Sequence, residues 1–214
     1  MEYPKFFEGI VVDKSKDKII KKCSKFQIGG IPGHRPQEHL FTAKSIISLY
    51  SFLKIPLFLQ VWDVSKYFDK EILRDAMDTL YSACIVGKLY RLWFLLKKNK
   101  IRVKTGFGMT ESAATRENVG QGSIGGGLIS ALNLDKTMSA YFSGSDREIS
   151  YRPARLCPVL YQDDSARFST SVEDAQKRNI LISRAMGAMQ LDLNVDKSAT
   201  ILFGGKCQVN KIRK

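Results

Sequence analysis

The stretch Pro158–Ser169, "PVLYQDDSARFS", decides how the rest of the chain is read. Apolar Val159, Leu160 and Tyr161 lead in, and alternating Ala166, Phe168 and Thr170 lead out, the pattern of a β-hairpin. At its turn sit two adjacent carboxylates, Asp163 and Asp164. Like charges held side by side repel. In isolation an Asp-Asp pair reads as a polar turn, because Asp readily forms one. A divalent cation bound between the acids is the other reading, and the surrounding sequence has to choose.

That surrounding sequence is strongly basic. The 214 residues carry 34 Lys and Arg against 21 Asp and Glu, a net charge of +13. A surplus of this size points to a polyanionic partner, nucleic acid first. The length suits one large domain, or a domain with an appendage, with a real core, and 44% hydrophobic with 26% charged residues describes an ordinary globular chain. Cys23, Cys84, Cys157 and Cys207 are scattered without metal-ligand spacing. They read as reduced thiols of an intracellular protein, in cytoplasm or nucleus. "MEYPKFFEGI" has acid and aromatics where a signal peptide needs an apolar core. The run Ser45–Trp62 is interrupted by Lys54 and Pro56, so a helix followed by a buried strand is expected rather than a membrane span.

Outward from the hairpin, "VEDAQKRNILISRAMGAMQLDL" reads as an amphipathic helix and "ATILFG" as a final strand. On the N-terminal side, "SGSDREISYRPAR" reads as a polar loop, and "VGQGSIGGGLISALNL" as glycines leading into an apolar helix. "IRVKTGFG" alternates like a strand, and "EILRDAMDTLYSACI" and "KLYRLWFLLKKN" read as helices. "LFLQVW" is a short, continuously apolar strand, preceded by a helix from about Gln37 to Leu53. The first part, "DKSKDKIIKKCSK" over Asp13–Lys25, reads as basic and irregular. The order is β-α-β-β-α-β, so the expected fold class is α+β with a ferredoxin-like, split-βαβ sheet. In that sheet the strand ending at Trp62 is expected beside the hairpin strand at Tyr161. Asp63, just past the first strand, then meets Asp163 at one edge. Carboxylates converging there call for Mg²⁺, which takes carboxylate oxygens and substrate phosphates. Two such ions can clamp the attacking and leaving oxygens of a phosphoryl transfer.

Five segments in order, spanning residues 26 to 203, together resemble the reverse transcriptases, most closely those of retrotransposons lacking long terminal repeats. "YQDD" resembles their Tyr-x-Asp-Asp signature, "WDVSKYFDK" their preceding acidic motif, and "VGQG" their Gln-Gly motif. "LDLNVDKSATILFG" resembles the Leu-x-x-Asn-x-x-Lys-[Ser/Thr] motif, and "FQIGGIPGHRPQEHLF" the Gln-x-Gly-Phe-Arg-Pro segment of the fingers. The resemblance implies an RNA-directed DNA polymerase that adds dNTPs to a DNA primer on an RNA template with two Mg²⁺ ions, Mn²⁺ serving as a substitute. It implies that Asp63, Asp163, Asp164 and the main-chain carbonyl of Val64 face the metals. Phe68 is implied as the ring that excludes a 2′-hydroxyl, and Gln121 and Gly122 as contacts to the nascent base pair and template. Lys197 is implied as proton donor to the leaving pyrophosphate, with a surface lysine as an even competitor. Arg35 is implied at template or phosphate, with a solvated loop as its competitor. Asp69 reads as a helix-capping acid, and His34 and His39 as ordinary polar residues.

The chain departs from the family where "SIGGGLIS" replaces a Ser-Pro pair, and where nothing before Gln27 matches the triphosphate-gripping finger motif. The expected organisation is partial fingers over 1–56, a palm over 57–205, and a truncated basic tail over 206–214 with no thumb. Two other readings stay open: an RNA-dependent RNA polymerase palm, against which Phe68 argues, and a polymerase-derived nucleic-acid-binding module without turnover. The sequence assigns no oligomeric state.

Overall fold

The computed structural model describes residues 3–98, 100–114, 123–142, 149–151, 154–156, 159–162 and 164–204. In chain order these form α1 (Tyr3–Ile20), α2 (Pro36–Phe52), β1 (Leu57–Trp62), α3 (Tyr67–Lys70), α4 (Leu73–Ser82) and α5 (Gly87–Lys97). Four two-residue strands follow, β2 (Lys100–Ile101), β3 (Lys104–Thr105), β4 (Gly108–Met109) and β5 (Ala113–Ala114), then α6 (Gly126–Tyr141). The remainder is β6 (Ile149–Tyr151), β7 (Ala154–Leu156), β8 (Val159–Tyr161), β9 (Asp164–Ser169), α7 (Val172–Ala188) and β10 (Ala199–Phe203). None of the described helices is long and apolar enough to cross a membrane.

β10, β1, β9 and β8 make one antiparallel sheet in that spatial order. It is the expected α+β, ferredoxin-like arrangement, with one correction. The neighbour of β1 is β9, the second arm of the hairpin, and not β8 with Tyr161. The crossover from β1 leaves one slot free, and the returning arm fills it. Phe168 on β9 then joins Leu57 on β1 in the core, while the Ser169 hydroxyl donates to the buried Gln60 side chain at 2.9 Å.

Alternation along β1 divides its side chains between two layers. Leu57 and Leu59 pack with Ile46, Tyr50 and Phe168 beneath α2. Trp62 faces α6 and α7, among Leu134, Met138, Phe142, Ile182 and Met186. Gln60 shares that second face, donating to the Ala175 carbonyl at 2.8 Å and to the Asn179 amide oxygen at 2.7 Å. Arg167 on β9 lays its guanidinium over the Phe142 ring at 3.8 Å. The start of α7 is fixed by Ser171, whose hydroxyl accepts from the Asp174 amide, a common N-cap.

A second core joins α1, α4, α5 and α6 through Val11, Ile19, Met77, Leu80, Trp93 and Ile129. Here the sequence reading is corrected: α1 continues to Ile20, so residues 13–20 are helical rather than irregular. Val11, Ser15 and Ile19 recur every four residues and are all buried. Ser15 satisfies the Trp93 indole at 2.8 Å. The rest of the helix surface mixes charges with exposed Phe6, Phe7 and Ile10, which hides the stripe. Buried Glu8 meets Lys97 at 2.9 Å and also accepts from Ser123 and from the amides of Ile124 and Gly125, so α1 holds the lead-in to α6.

Two further corrections concern strands. "IRVKTGFG" is not one strand but two short ones, because Lys100 pairs with Ala114 while Lys104 pairs with Met109. The return arm carries one residue more, a bulge that breaks the ladder. The polar segment before the acid hairpin contains paired strands, β6 with β7, rather than loop alone.

Candidate active site

Trp62 lies opposite Ser165 in the β1–β9 pair. One residue further along this register, Asp63 faces Asp164, and alternation puts both on the face of Leu59, Val61 and Ala166. Directly opposed residues in an antiparallel pair hold their Cβ atoms about 4.5–5.5 Å apart, and like charges there destabilise the sheet. Asp164 keeps contact with solvent. Even so, partial loss of hydration and then the Asp63 charge raise its carboxyl above the usual aspartate value, with Lys197 pulling the other way. Three residues singled out from sequence thus converge from three segments of the chain. Asp163, Gln121 and Gly122 lie outside the described residues.

The loop before β10 buttresses Asp63. The Asn194 amide donates to the Asp63 carbonyl and the Ser65 amide to the Asp192 carbonyl, both at 2.8 Å. The Asp63 amide donates to the Ser198 hydroxyl at 3.1 Å. These bonds flank the Val64–Leu193 bridge. Val64 is therefore a non-hydrogen-bonded position whose own carbonyl faces away from Leu193. The Asn194 carbonyl in turn accepts from the amides of Lys197 and Ser198, closing the turn that carries Lys197. The Asn, Lys and Ser of "LNVDKS" work as one support for the acid at the end of β1.

The acid hairpin is held from its other side by "FQIGG". The segment bridges β8 in parallel, with the Ile28 amide on the Leu160 carbonyl at 3.1 Å. Buried Gln27 reaches across the turn. Its amide oxygen accepts from the amides of Gly29 and Gln162, each at 3.0 Å, and its amide nitrogen donates to the Gln162 carbonyl at 3.2 Å. Gln162 sits at φ 55°, in the left-handed region that a non-glycine residue adopts only when its surroundings impose it. Gly29 is required: a Cβ there would lie 2.1 Å from the Gln162 nitrogen. This clamp is the feature that sequence reasoning missed. The Gln-x-Gly spacing was visible, but the partner lies 135 residues away.

Phe68 is half-buried, edge-on to Tyr67 with ring centres 5.7 Å apart. Tyr67 is locked by a 2.9 Å hydrogen bond to the Ser130 carbonyl. Phe68 lines a cavity of about 420 Å³ shared with Gln162, Gly30, Gly127, Ser123 and Lys16. The cavity therefore opens between the acid hairpin, the clamp and the residues that directly follow Gln121–Gly122. Gly125 has a packing reason, because its Cβ would fall 2.2 Å from the Trp93 ring. Gly125 stands at the N-cap of α6 and Gly126 opens the helix, so two of the three glycines lie at its start, where helix propensity matters least.

Arg35 is exposed at the N-cap of α2, and its amide donates to Glu38 at 3.0 Å. Among the described residues no contact joins its guanidinium to Asp63 or Asp164. His34 pairs with Glu38 at 2.9 Å. His39 Nε2 lies 3.1 Å from the Phe26 carbonyl and 3.0 Å from the Leu160 carbonyl, so it carries a proton and ties α2 to the hairpin. Asp69 lies in the first turn of α3, whose N-cap is Lys66, so it is not the cap.

Among the described residues no group of three or more His, Cys, Asp or Glu side chains is placed to hold a metal. The described oxygen donors are Asp63 and Asp164, with Asp163 outside that set. Their chemistry fits a hard divalent cation: two carboxylates on one face, Asp164 raised by desolvation and then by the Asp63 charge, with Lys197 as the cation the structure records acting on Asp164.

No protein-family model matches the chain, and no curated protein matches it. Solved structures do. The apo telomerase of Candida tropicalis truncated from its C-terminal domain superposes with a TM-score of 0.69 at 12% identity, over 98% of this chain and 43% of that one. Another structure of apo telomerase from Candida tropicalis gives 0.69 at 11% identity, over 94% and 38%. Telomerase of Candida albicans, solved with a TWJ fragment of telomeric RNA, gives 0.61 at 10% identity, over 98% and 34%. The chain spans less than half the length of each. At these identities the likeness is one of fold, and the fold is that of a reverse-transcriptase-like α+β polymerase palm.

Proposed function

We propose that the chain is the palm, with part of the fingers, of an RNA-directed DNA polymerase of the kind found in retrotransposons lacking long terminal repeats. It extends a DNA primer with dNTPs on an RNA template. The observation that carries this reading is the placement of Asp63 opposite Asp164 with the Lys197 charge acting on them, on a hairpin whose Gln162 lines the same cavity as Phe68. The RNA bound to one of the telomerase neighbours supports a nucleic-acid partner. So does the net charge of +13.

In this reading Asp63, Asp163, Asp164 and the Val64 carbonyl would hold two Mg²⁺ ions, or Mn²⁺ in their place. The ions supply activation of the primer 3′-hydroxyl and neutralisation of the triphosphate. The residues of the chain do the rest. Phe68 packs beneath the incoming sugar and excludes a 2′-hydroxyl. Gln121 and Gly122 lie against the nascent pair and template. Lys197 protonates the leaving pyrophosphate, and Arg35 contacts template phosphate. Residues 1–56 belong to the fingers and 57–205 to the palm.

The test is primer extension on an RNA template with Mg²⁺ and dNTPs, comparing the chain with its Asp63→Asn and Asp163→Asn variants, each assayed also for primer–template binding. Extension lost in both variants with binding retained is the expected result. Extension by either variant at the unaltered rate would remove that residue from the site. Salt-sensitive binding without extension by any form would leave a polymerase-derived binding module.

A further inference from the structure

Between α5 and the residues before α6 the chain forms a ribbon that the candidate site does not use. β2 pairs with β5 and β3 with β4, and every residue from 102 to 113 is exposed. At its tip Phe107 is as accessible as in an extended chain, at 106%. Phe6, Phe41 and Phe52 are also largely exposed, at 71%, 74% and 83%, and Phe107 exceeds them all. The tip is nevertheless built. The Thr105 hydroxyl donates to the Gly108 carbonyl at 2.9 Å and accepts from the Phe107 amide at 3.2 Å. Gly108, at φ 124°, adopts a conformation that favours glycine. Below the tip, Val103 and Thr110 exchange hydrogen bonds of 2.9 and 3.0 Å, and Arg102 Nε holds the Thr110 carbonyl at 3.1 Å.

Charge and patterning indicate what such a ribbon meets. Lys104 is exposed beside the tip, Arg102 below it and Lys98 at the base of the ribbon, and the first acid after Lys97 is Glu111 on the return arm. The apolar residues do not form one patch. Met109 lies opposite Lys104, whereas Val103 lies on the other face by alternation. A protein-docking surface needs contiguous apolar area. A single ring flanked by cations suits a base on its face and phosphates on either side, because base–aromatic stacking tolerates any base.

We propose that Lys98 and residues 100–110 form a contact arm for single-stranded nucleic acid. Phe107 stacks on an unpaired base, and Lys98, Arg102 and Lys104 follow the phosphates. The proposal rests on the reading that this chain handles nucleic acid, and it names the strand state and the residues that grip it.

The test is fluorescence anisotropy with a labelled single-stranded RNA of about 12 nucleotides and a duplex of equal length, using the full chain. Phe107→Ala should weaken single-strand binding about five- to a hundred-and-fifty-fold, the range of one lost stack. Duplex binding should stay unchanged, and Phe107→Trp should restore the single strand. Replacing Arg102 and Lys104 together by Gln should make the plot of log affinity against log salt shallower by about 1.4, at about 0.7 for each phosphate contact. If Phe107→Ala binds the single strand like the unaltered chain, the arm is refuted while the proposed function stands. Equal losses on single strand and duplex refute stacking. Absence of salt-sensitive binding by the unaltered chain refutes both.

Discussion

Replacing Glu71 by Gln will stabilise the protein at neutral and alkaline pH. Glu71 is 1% exposed and accepts hydrogen bonds from the Ser130 hydroxyl and, at 2.9 Å, from the Asn133 amide, which is itself fixed by Thr79. Burial pushes its carboxyl up to about 7 from an ordinary 4.5, against those two hydrogen bonds and the Lys97 charge, which pull it down. A raised carboxyl means that the folded chain keeps the proton while the unfolded chain releases it. The stability this side chain allows is therefore complete below about pH 4.5 and is lost as pH rises to about 7. The slope reaches about 1.4 kcal/mol per pH unit, and the total is about 3 kcal/mol. Above pH 7 the loss is constant. Gln keeps the hydrogen bonds, with its oxygen accepting from Asn133 and its amide donating to the rotatable Ser130 hydroxyl. Thermal unfolding of both forms at pH 5, 6, 7 and 8 reads the difference directly. The variant should gain steadily up to pH 7, ending roughly 6–12 °C higher in Tm for a chain of this size. Parallel profiles across that range would mean that Glu71 ionises as it does in water, and the reasoning from burial would fail.

Three further outcomes follow from the site. Gly29→Ala forces a Cβ against the Gln162 backbone and should cost about 1–3 kcal/mol, seen as a lower Tm, with primer extension falling further than stability alone explains. Phe68→Ala should admit ribonucleotides; unchanged sugar selectivity in single-nucleotide extension would remove Phe68 from the sugar position. Asp164→Asn should stabilise the metal-free chain by about 0.2–1 kcal/mol, because it removes one of two opposed like charges. That gain should shrink with added salt and reverse in sign with millimolar Mg²⁺; a gain indifferent to both would show that the two acids do not interact.

The sheet was legible because it depends on alternation and order, whereas the sequence set Asp63 against Asp163 and the described residue opposite Asp63 is Asp164. Val159–Phe168 declares a hairpin, and Trp62-Asp63 a strand end, with no need of the rest of the chain. Which arm of the hairpin adjoins β1 was not legible, since the apolar faces of β8 and β9 are interchangeable in sequence. The choice rests on Phe168 meeting Leu57 and on Ser169 bonding Gln60. Helix α1 was hidden because its buried stripe is narrow and includes a polar residue, Ser15, that is buried only because Trp93 lies across from it. The Glu8–Lys97 pair was illegible for the same reason: each looks like a surface charge until the two helices meet. The break in the ribbon turns on one extra residue in the return arm, which periodicity cannot register.

The Gln27 amide has a consequence for how the molecule moves. One side chain bonds its own loop at Gly29 and both polar groups of the Gln162 backbone, adding a fastening to the main-chain bonds that already join the N-terminal segment to the hairpin at Leu160. The turn cannot open without dragging that segment, and the segment cannot swing without tilting the turn. Whatever quiets the turn must also slow solvent exchange at the amides of Ile28 and Gly29, far away in sequence. The fastening works as a rivet, and those two amides report the state of the acids from the opposite end of the chain.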